Sequence, residues 1–231
     1  MRLTPQQVLV IDALSRRVNE VADERFQEFH QQTQEGFRKL AEMDPKLKEQ
    51  YAKAGTTIEE AQQHEMDMPF QEGYSGLRSF LLQGLRPQIK EQWVRYNLVP
   101  LVDAMQPTWF QHGKFNKLPA DLKPAVMQLA TFERDEPMLI YREQPRFLDT
   151  KAGRTLKCER PVSWSASEKA VMGETTLICS TRYGTNVSIL SQYIGEGEVI
   201  SFSKAGYLVT QVEDRSFMGR RTRRVVRLRD R

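Results

Sequence analysis

The chain has 231 residues, with 39% hydrophobic, 28% charged and 9% aromatic side chains. That is enough apolar material for a real core, which excludes global disorder. The net charge is +4, but the last seventeen residues hold eight arginines and one aspartate, leaving the first 214 residues at −3. The basicity therefore describes a tail and does not mark the whole protein as a polyanion binder.

Cys158 and Cys179 are too few for a disulfide framework and lack the paired spacing of a metal site, so a reducing compartment and no structural zinc are expected. Residues 8–11 supply only four apolar positions before Asp12, too short for a signal segment or a membrane span. A soluble, cytosolic protein without membrane association is the expectation.

In chain order, Thr4-Pro5 reads as an N-cap followed by proline at the first helical position. Val8, Ile11, Leu14, Val18, Val21, Phe26 and Phe29 then recur at helical spacing, and the pattern continues through Phe37, Leu40 and Met43. Asp44-Pro45 restarts a second helix that Gly55 closes, and residues 56–60 carry overlapping capping boxes for another. Residues 1–65 thus read as a helical arm or docking hairpin, with packing against the rest of the chain favoured over a separate binding module. Further helical pattern covers residues 74–85, 89–105 and 120–132. Pro100 and Pro107 read as breaks, and Trp109, Phe110 and Phe115 as the loop that follows.

The texture changes near Pro137. Short β-favouring runs follow at residues 138–142, 161–165, 175–180, 186–190, 198–202, 207–212 and 225–228. Helices first and strands second is an α+β order: an N-terminal helical region, then a mixed, mainly antiparallel β-sandwich core. The arm would be residues 1–65 and the second domain residues 66–231, with helices over 66–135 and strands over 137–231.

The inventory of chemistry is short. His30, His64 and His112 are scattered, and the chain lacks an HExxH, a GxSxG elbow and a glycine-rich phosphate loop. What remains lies in the β half: Arg142 at the end of one strand, Ser163-Trp164-Ser165 on the next, and Glu196-Gly197-Glu198 entering a later one. In an extended chain, residues two apart share a face, so both carboxylates would point the same way. Paired carboxylates beside a hydroxyl and an arginine suit chemistry that develops positive charge on a sugar.

These residues resemble a known family. Ile140-Tyr141-Arg142-Glu143, Val162-Ser163-Trp164-Ser165 followed by Ala170, and Glu196-Gly197-Glu198-Val199-Ile200 look like the arginine, S-x-S and E-x-E series of mono-ADP-ribosyltransferases, in that family's order. The similarity is greatest to the C3/VIP2-like toxin fold and its bacteriophage relatives. Upstream, Tyr74-Ser75, Phe80 and Leu85-Arg86 are similar to the helix that precedes the sheet there, with Leu82 where an asparagine is expected. The resemblance covers roughly residues 66–215 and leaves the N-terminal arm unexplained.

It implies an enzyme that uses NAD as a substrate without a metal. Arg142 would clamp the pyrophosphate with a bidentate fork, aided by Arg86, with Ser165 also near the dinucleotide. Glu198 would stabilise the oxocarbenium-like state as the nicotinamide bond breaks, and Ser163 would hold that glutamate by a hydrogen bond. Glu196 would orient or deprotonate the acceptor, and an acid there implies transfer to an arginine side chain; Tyr193 would touch the acceptor. The implied partner is a host target protein and the implied role a phage-borne or bacterial effector in a host cytosol, virion-associated before delivery. Two alternatives stay open: a non-catalytic structural or virion protein that keeps the fold, and an NAD glycohydrolase without a protein acceptor.

The arginine-rich tail has its own pattern. Val226 and Leu228 alternate with Arg227 and Arg229, which reads as a half-buried closing strand with one basic face, open to an acidic or ribonucleoprotein partner.

Overall fold

The computed structural model describes residues 1–43, 46, 49, 53, 55, 83–105, 109, 115–144, 148–168, 171, 174–191, 197–217 and 220–231. The capping boxes at residues 56–60 and the helical pattern before Gln83 lie outside the described residues, as do Pro107, Phe110, Tyr193 and Glu196.

The first helix, α1 (Pro5–Met43), begins where Thr4-Pro5 places it. Its cap is reciprocal: the Gln7 N–H donates to Thr4 Oγ1 at 3.2 Å, and the Thr4 N–H donates to Gln7 Oε1 at 2.9 Å. The buried row on this helix is not purely apolar. Val8, Ile11, Val18 and Ala22 are buried, and so are Asp12, Ser15 and Asn19, which recur at helical spacing beside them.

Two short helices, α2 (Arg86–Arg95) and α3 (Val99–Met105), cover the helical pattern over residues 89–105, for which a break at Pro100 is expected. The break comes at Asn97, whose φ is +52°, and not at Pro100. Asparagine tolerates the left-handed region, while a proline in the first turn of α3 gives up only an N–H that has no helical partner there. The next helix, α4 (Lys123–Ala130), is shorter than expected and buries Ala125, Val126, Leu129 and Ala130.

Among the described residues eight strands follow: β1 (Glu133–Gln144), β2 (Thr155–Leu156), β3 (Val162–Ser165), β4 (Thr175–Tyr183), β5 (Thr185–Asn186), β6 (Glu198–Ser201), β7 (Tyr207–Phe217) and β8 (Arg220–Asp230). They form one mixed, mostly antiparallel sheet in the order β2-β7-β8-β4-β1-β3-β6-β5, with β4 and β8 parallel. This is the α+β class expected from the order of elements. The strand expected over residues 186–190 stops at Asn186, because the Asn186 side-chain oxygen accepts from both the N–H and the hydroxyl of Ser188 and turns the chain. The C-terminal strand is no edge: β8 pairs antiparallel with β7 on one side and parallel with β4 on the other.

Among the described residues, two apolar clusters face this sheet. One gathers Ile11 of α1, Leu101 and Met105 of α3, Trp109, Val187 and Ile200. The other holds Ile140, Trp164, Cys179, Tyr207, Val226 and Leu228, with the rings of Trp164 and Tyr207 edge to face at 5.7 Å. Strand alternation assigns the neighbouring β6 residues Val199 and Ile200 to different clusters, and so turns the side chain of Glu198 toward the helices.

Candidate active site

Strands β3 and β6 run antiparallel with Ser163 opposite Ile200, Trp164 opposite Val199 and Ser165 opposite Glu198. Directly opposed residues share a face, so Ser163, Ser165, Glu198 and Ile200 all turn toward the helical cluster. There the Ser163 hydroxyl donates to Glu198 Oε1 at 2.7 Å. The indole N–H of Trp109 donates to the same oxygen at 2.9 Å, and the Ser191 side chain also hydrogen-bonds the carboxylate.

Glu198 is only 7% exposed and Trp109 is fully buried. Burial raises the Glu198 carboxyl above its ordinary range, and the hydrogen bonds from Ser163, Trp109 and Ser191 pull it part of the way back. The result is a desolvated carboxylate held by three fixed donors. Such a group is set in advance to stabilise positive charge developing next to it, since no solvent has to reorganise.

The other expected residues are placed differently. Arg142 falls, by alternation along β1, on the face of Ile140, opposite Leu177 of β4 and away from the Ser163–Glu198 pair. Its guanidinium donates to the Ser163 carbonyl oxygen, and among the described residues no ion pair joins it to Glu198. Burial lowers the guanidinium below its ordinary value, with Cys158 and Glu143 acting in the opposite sense. Arg142 is thus a half-buried cation tied to the backbone of the S-x-S strand, with donor capacity left for a phosphate.

Ser165 lies opposite Glu198, but its hydroxyl closes a local turn, donating to the Ser167 carbonyl at 3.0 Å and accepting from the Ser167 N–H at 2.9 Å. Arg86 sits exposed at the start of α2, and no hydrogen bond or ion pair among the described residues links it to the carboxylate. Gly197, which precedes Glu198, adopts φ +63°, a left-handed conformation that glycine takes at little cost.

Two contributors are invisible in the motifs. Trp109 reads as a loop residue, and Ser191 falls just past the strand expected over residues 186–190. The one available signal for Trp109 is general: a buried indole needs an acceptor for its N–H, and a motif carboxylate is a candidate acceptor.

Several solved structures are similar to this chain. They include a C3-type ADP-ribosyltransferase from Clostridium botulinum, at 12% identity over 64% of this chain and 94% of that one, with a TM-score of 0.44. The type III effector XopAI from Xanthomonas axonopodis pv. citri matches at 12% identity over 71% and 87%, with a TM-score of 0.42. A C3-type protein from S. aureus, solved with NAD, matches at 12% identity over 55% and 84%, with a TM-score of 0.39. No protein-family model matches the chain, and comparison with curated proteins returns no match.

Among the described residues, no group of three or more His, Cys, Asp and Glu side chains is arranged to hold a metal ion. No helix among them is long and apolar enough to cross a membrane.

Proposed function

We propose that this chain is an NAD-dependent mono-ADP-ribosyltransferase that modifies an arginine side chain of a host protein. The observation that carries the reading is the Glu198 carboxylate, buried and held on one oxygen by Ser163 at 2.7 Å and Trp109 at 2.9 Å. Glu198 faces the ribose carbon from which nicotinamide leaves and stabilises the charge that develops there. Ser163 keeps the carboxylate in register with the strand it sits on. Arg142, on β1 and tied to the Ser163 carbonyl of β3, supplies a guanidinium for the pyrophosphate, with Ser165 and Arg86 as further contacts along the dinucleotide. Glu196, two residues before Glu198, takes the proton of the acceptor guanidinium, and Tyr193 lines the acceptor side.

The arginine acceptor rests on the acidic residue at position 196, and the effector role in a host cytosol on the resemblance of the three motifs. The exposed Arg227, Arg229 and Arg231 offer a surface to an acidic partner.

Incubation with biotinylated NAD and a host lysate tests the reading. Label should move to protein, resist release by dilution and be released by neutral hydroxylamine, as arginine-linked ADP-ribose is. Glu198→Ala should abolish transfer, and Glu196→Gln should stop transfer while free nicotinamide is still produced. A wild-type protein that transfers no label and releases no nicotinamide overturns the proposal; nicotinamide release without transfer leaves a glycohydrolase.

A further inference from the structure

The N-terminal helix reaches the site through its buried polar row. Asp12 is 3% exposed and accepts on Oδ1 from the Asn186 backbone N–H at 3.0 Å and from Arg134 Nη1 at 2.6 Å, while Arg16 holds the other oxygen at 2.9 Å. One turn further, the fully buried Ser15 accepts on Oγ from the Ile189 N–H at 3.2 Å. Both bonds therefore fall on backbone N–H groups of residues 186–191.

That same segment wraps Glu198. The Val187 N–H donates to the Glu198 carbonyl oxygen at 2.7 Å, and the Ser191 side chain reaches its carboxylate. The turn is short of sheet pairing of its own, since β5 ends at Asn186. Its position is set from one side by β6 and from the other by α1.

We propose that α1 belongs to the catalytic apparatus, with Asp12 and Ser15 as positioning residues that hold residues 186–191 so that Ser191 meets the Glu198 carboxylate. The kinetic part of this proposal rests on the transferase reading; the geometric part does not. Neither residue touches substrate. Each fixes a backbone N–H, and the rigid turn carries the constraint to the third donor of the carboxylate.

Two variants separate this from simple scaffolding. Asp12→Asn keeps an oxygen for the Asn186 N–H but removes the charge that pairs with Arg134. Ser15→Ala removes the acceptor for Ile189 without leaving a buried charge, so it tests the idea if the first variant folds poorly. The titration of Glu198 is followed by carbon NMR on protein labelled at the glutamate carboxyl carbon, with Glu198→Gln identifying the signal. Nicotinamide release gives kcat and KM. Withdrawing Ser191 removes a donor to the charged form, so the Glu198 midpoint should move up in both variants. In step with it, kcat should fall about tenfold while KM for NAD stays within about twofold.

A folded Ser15→Ala protein whose Glu198 titrates as in wild type overturns the proposal, whatever happens to its melting temperature. If wild type releases no nicotinamide, the transferase reading fails, and the titration alone still decides whether α1 positions the carboxylate.

Discussion

The residue on which most depends is Glu198, and its burial has a thermodynamic sign that can be checked. Its folded pKa lies above that of an unfolded glutamate, so the folded state holds a proton more tightly. Stability is therefore lost as pH rises from the ordinary carboxylate range through the folded midpoint, and the loss stays constant above it. Glu198→Gln keeps a carbonyl oxygen for Ser163 and Trp109 but cannot ionise. It should raise the melting temperature at pH 7, at about 2–4 °C for each kcal/mol gained in a chain of this size, and leave it unchanged below about pH 4. Differential scanning calorimetry at the two pH values decides it; a lower melting temperature at pH 7 would show that burial does not dominate. Trp109→Phe makes the complementary change. It removes one donor from the carboxylate at a cost of about 1–3 kcal/mol, and it should push the acid limb of the pH–rate profile upward. An unmoved acid limb would mean that the indole only fills space.

The elements that carry this residue are set by a few backbone positions. Gly184 joins β4 to β5 at φ +128°, and a Cβ there would lie 2.8 Å from the Ile200 carbonyl oxygen and 3.0 Å from Ser201 Cβ. Alanine would be strained in φ and would press β5 off β6, one strand from the carboxylate. Gly184→Ala should cost about 1–3 kcal/mol and should depress activity more than a surface substitution of equal cost; a melting temperature within about 1 °C of wild type would contradict the fit. The strands themselves are readable, because runs such as residues 175–180 and 207–212 are β-branched and apolar, and because S-x-S and E-x-E are local patterns of a two-residue period. Ser163 and Glu198 can be named from sequence because the order of the S-x-S and E-x-E motifs resembles that of mono-ADP-ribosyltransferases. Trp109 cannot, since 89 residues separate it from the carboxylate it holds. Asp12, Ser15 and Asn19 are hidden in another way: on an amphipathic helix, polar residues read as the solvent side, and only the fold reveals that this row is buried. Sequence reading misplaces the helix break because proline is the louder signal, yet Pro100 is harmless in a first turn and Asn97 does the turning.

At the scale of the whole molecule, α1 and the sheet share one core. Leu3, Val8, Ile11, Val18 and Ala22 pack in the same cluster as Met105, Leu129 and Ile200. Polar ties reinforce the join. The Leu3 N–H donates to Gln128 Oε1 and the Leu3 carbonyl accepts from Gln128 Nε2, both at 2.9 Å, and Gln7 Nε2 donates to the Tyr96 carbonyl at 3.2 Å. Four large aliphatic side chains at about 1.5–3 kcal/mol each amount to about 6–12 kcal/mol as an upper bound, which is the size of a typical domain's entire stability. The first 22 residues should therefore be indispensable to folding. The intact chain should unfold in one transition, with far-ultraviolet circular dichroism and tryptophan fluorescence giving coincident curves. A chain lacking residues 1–22 should show no cooperative transition and should expose apolar surface to a hydrophobic dye. If the shortened protein instead melts cooperatively within a few degrees of the intact one, the helix is an attachment to an independent sheet domain, and the carboxylate is held without it.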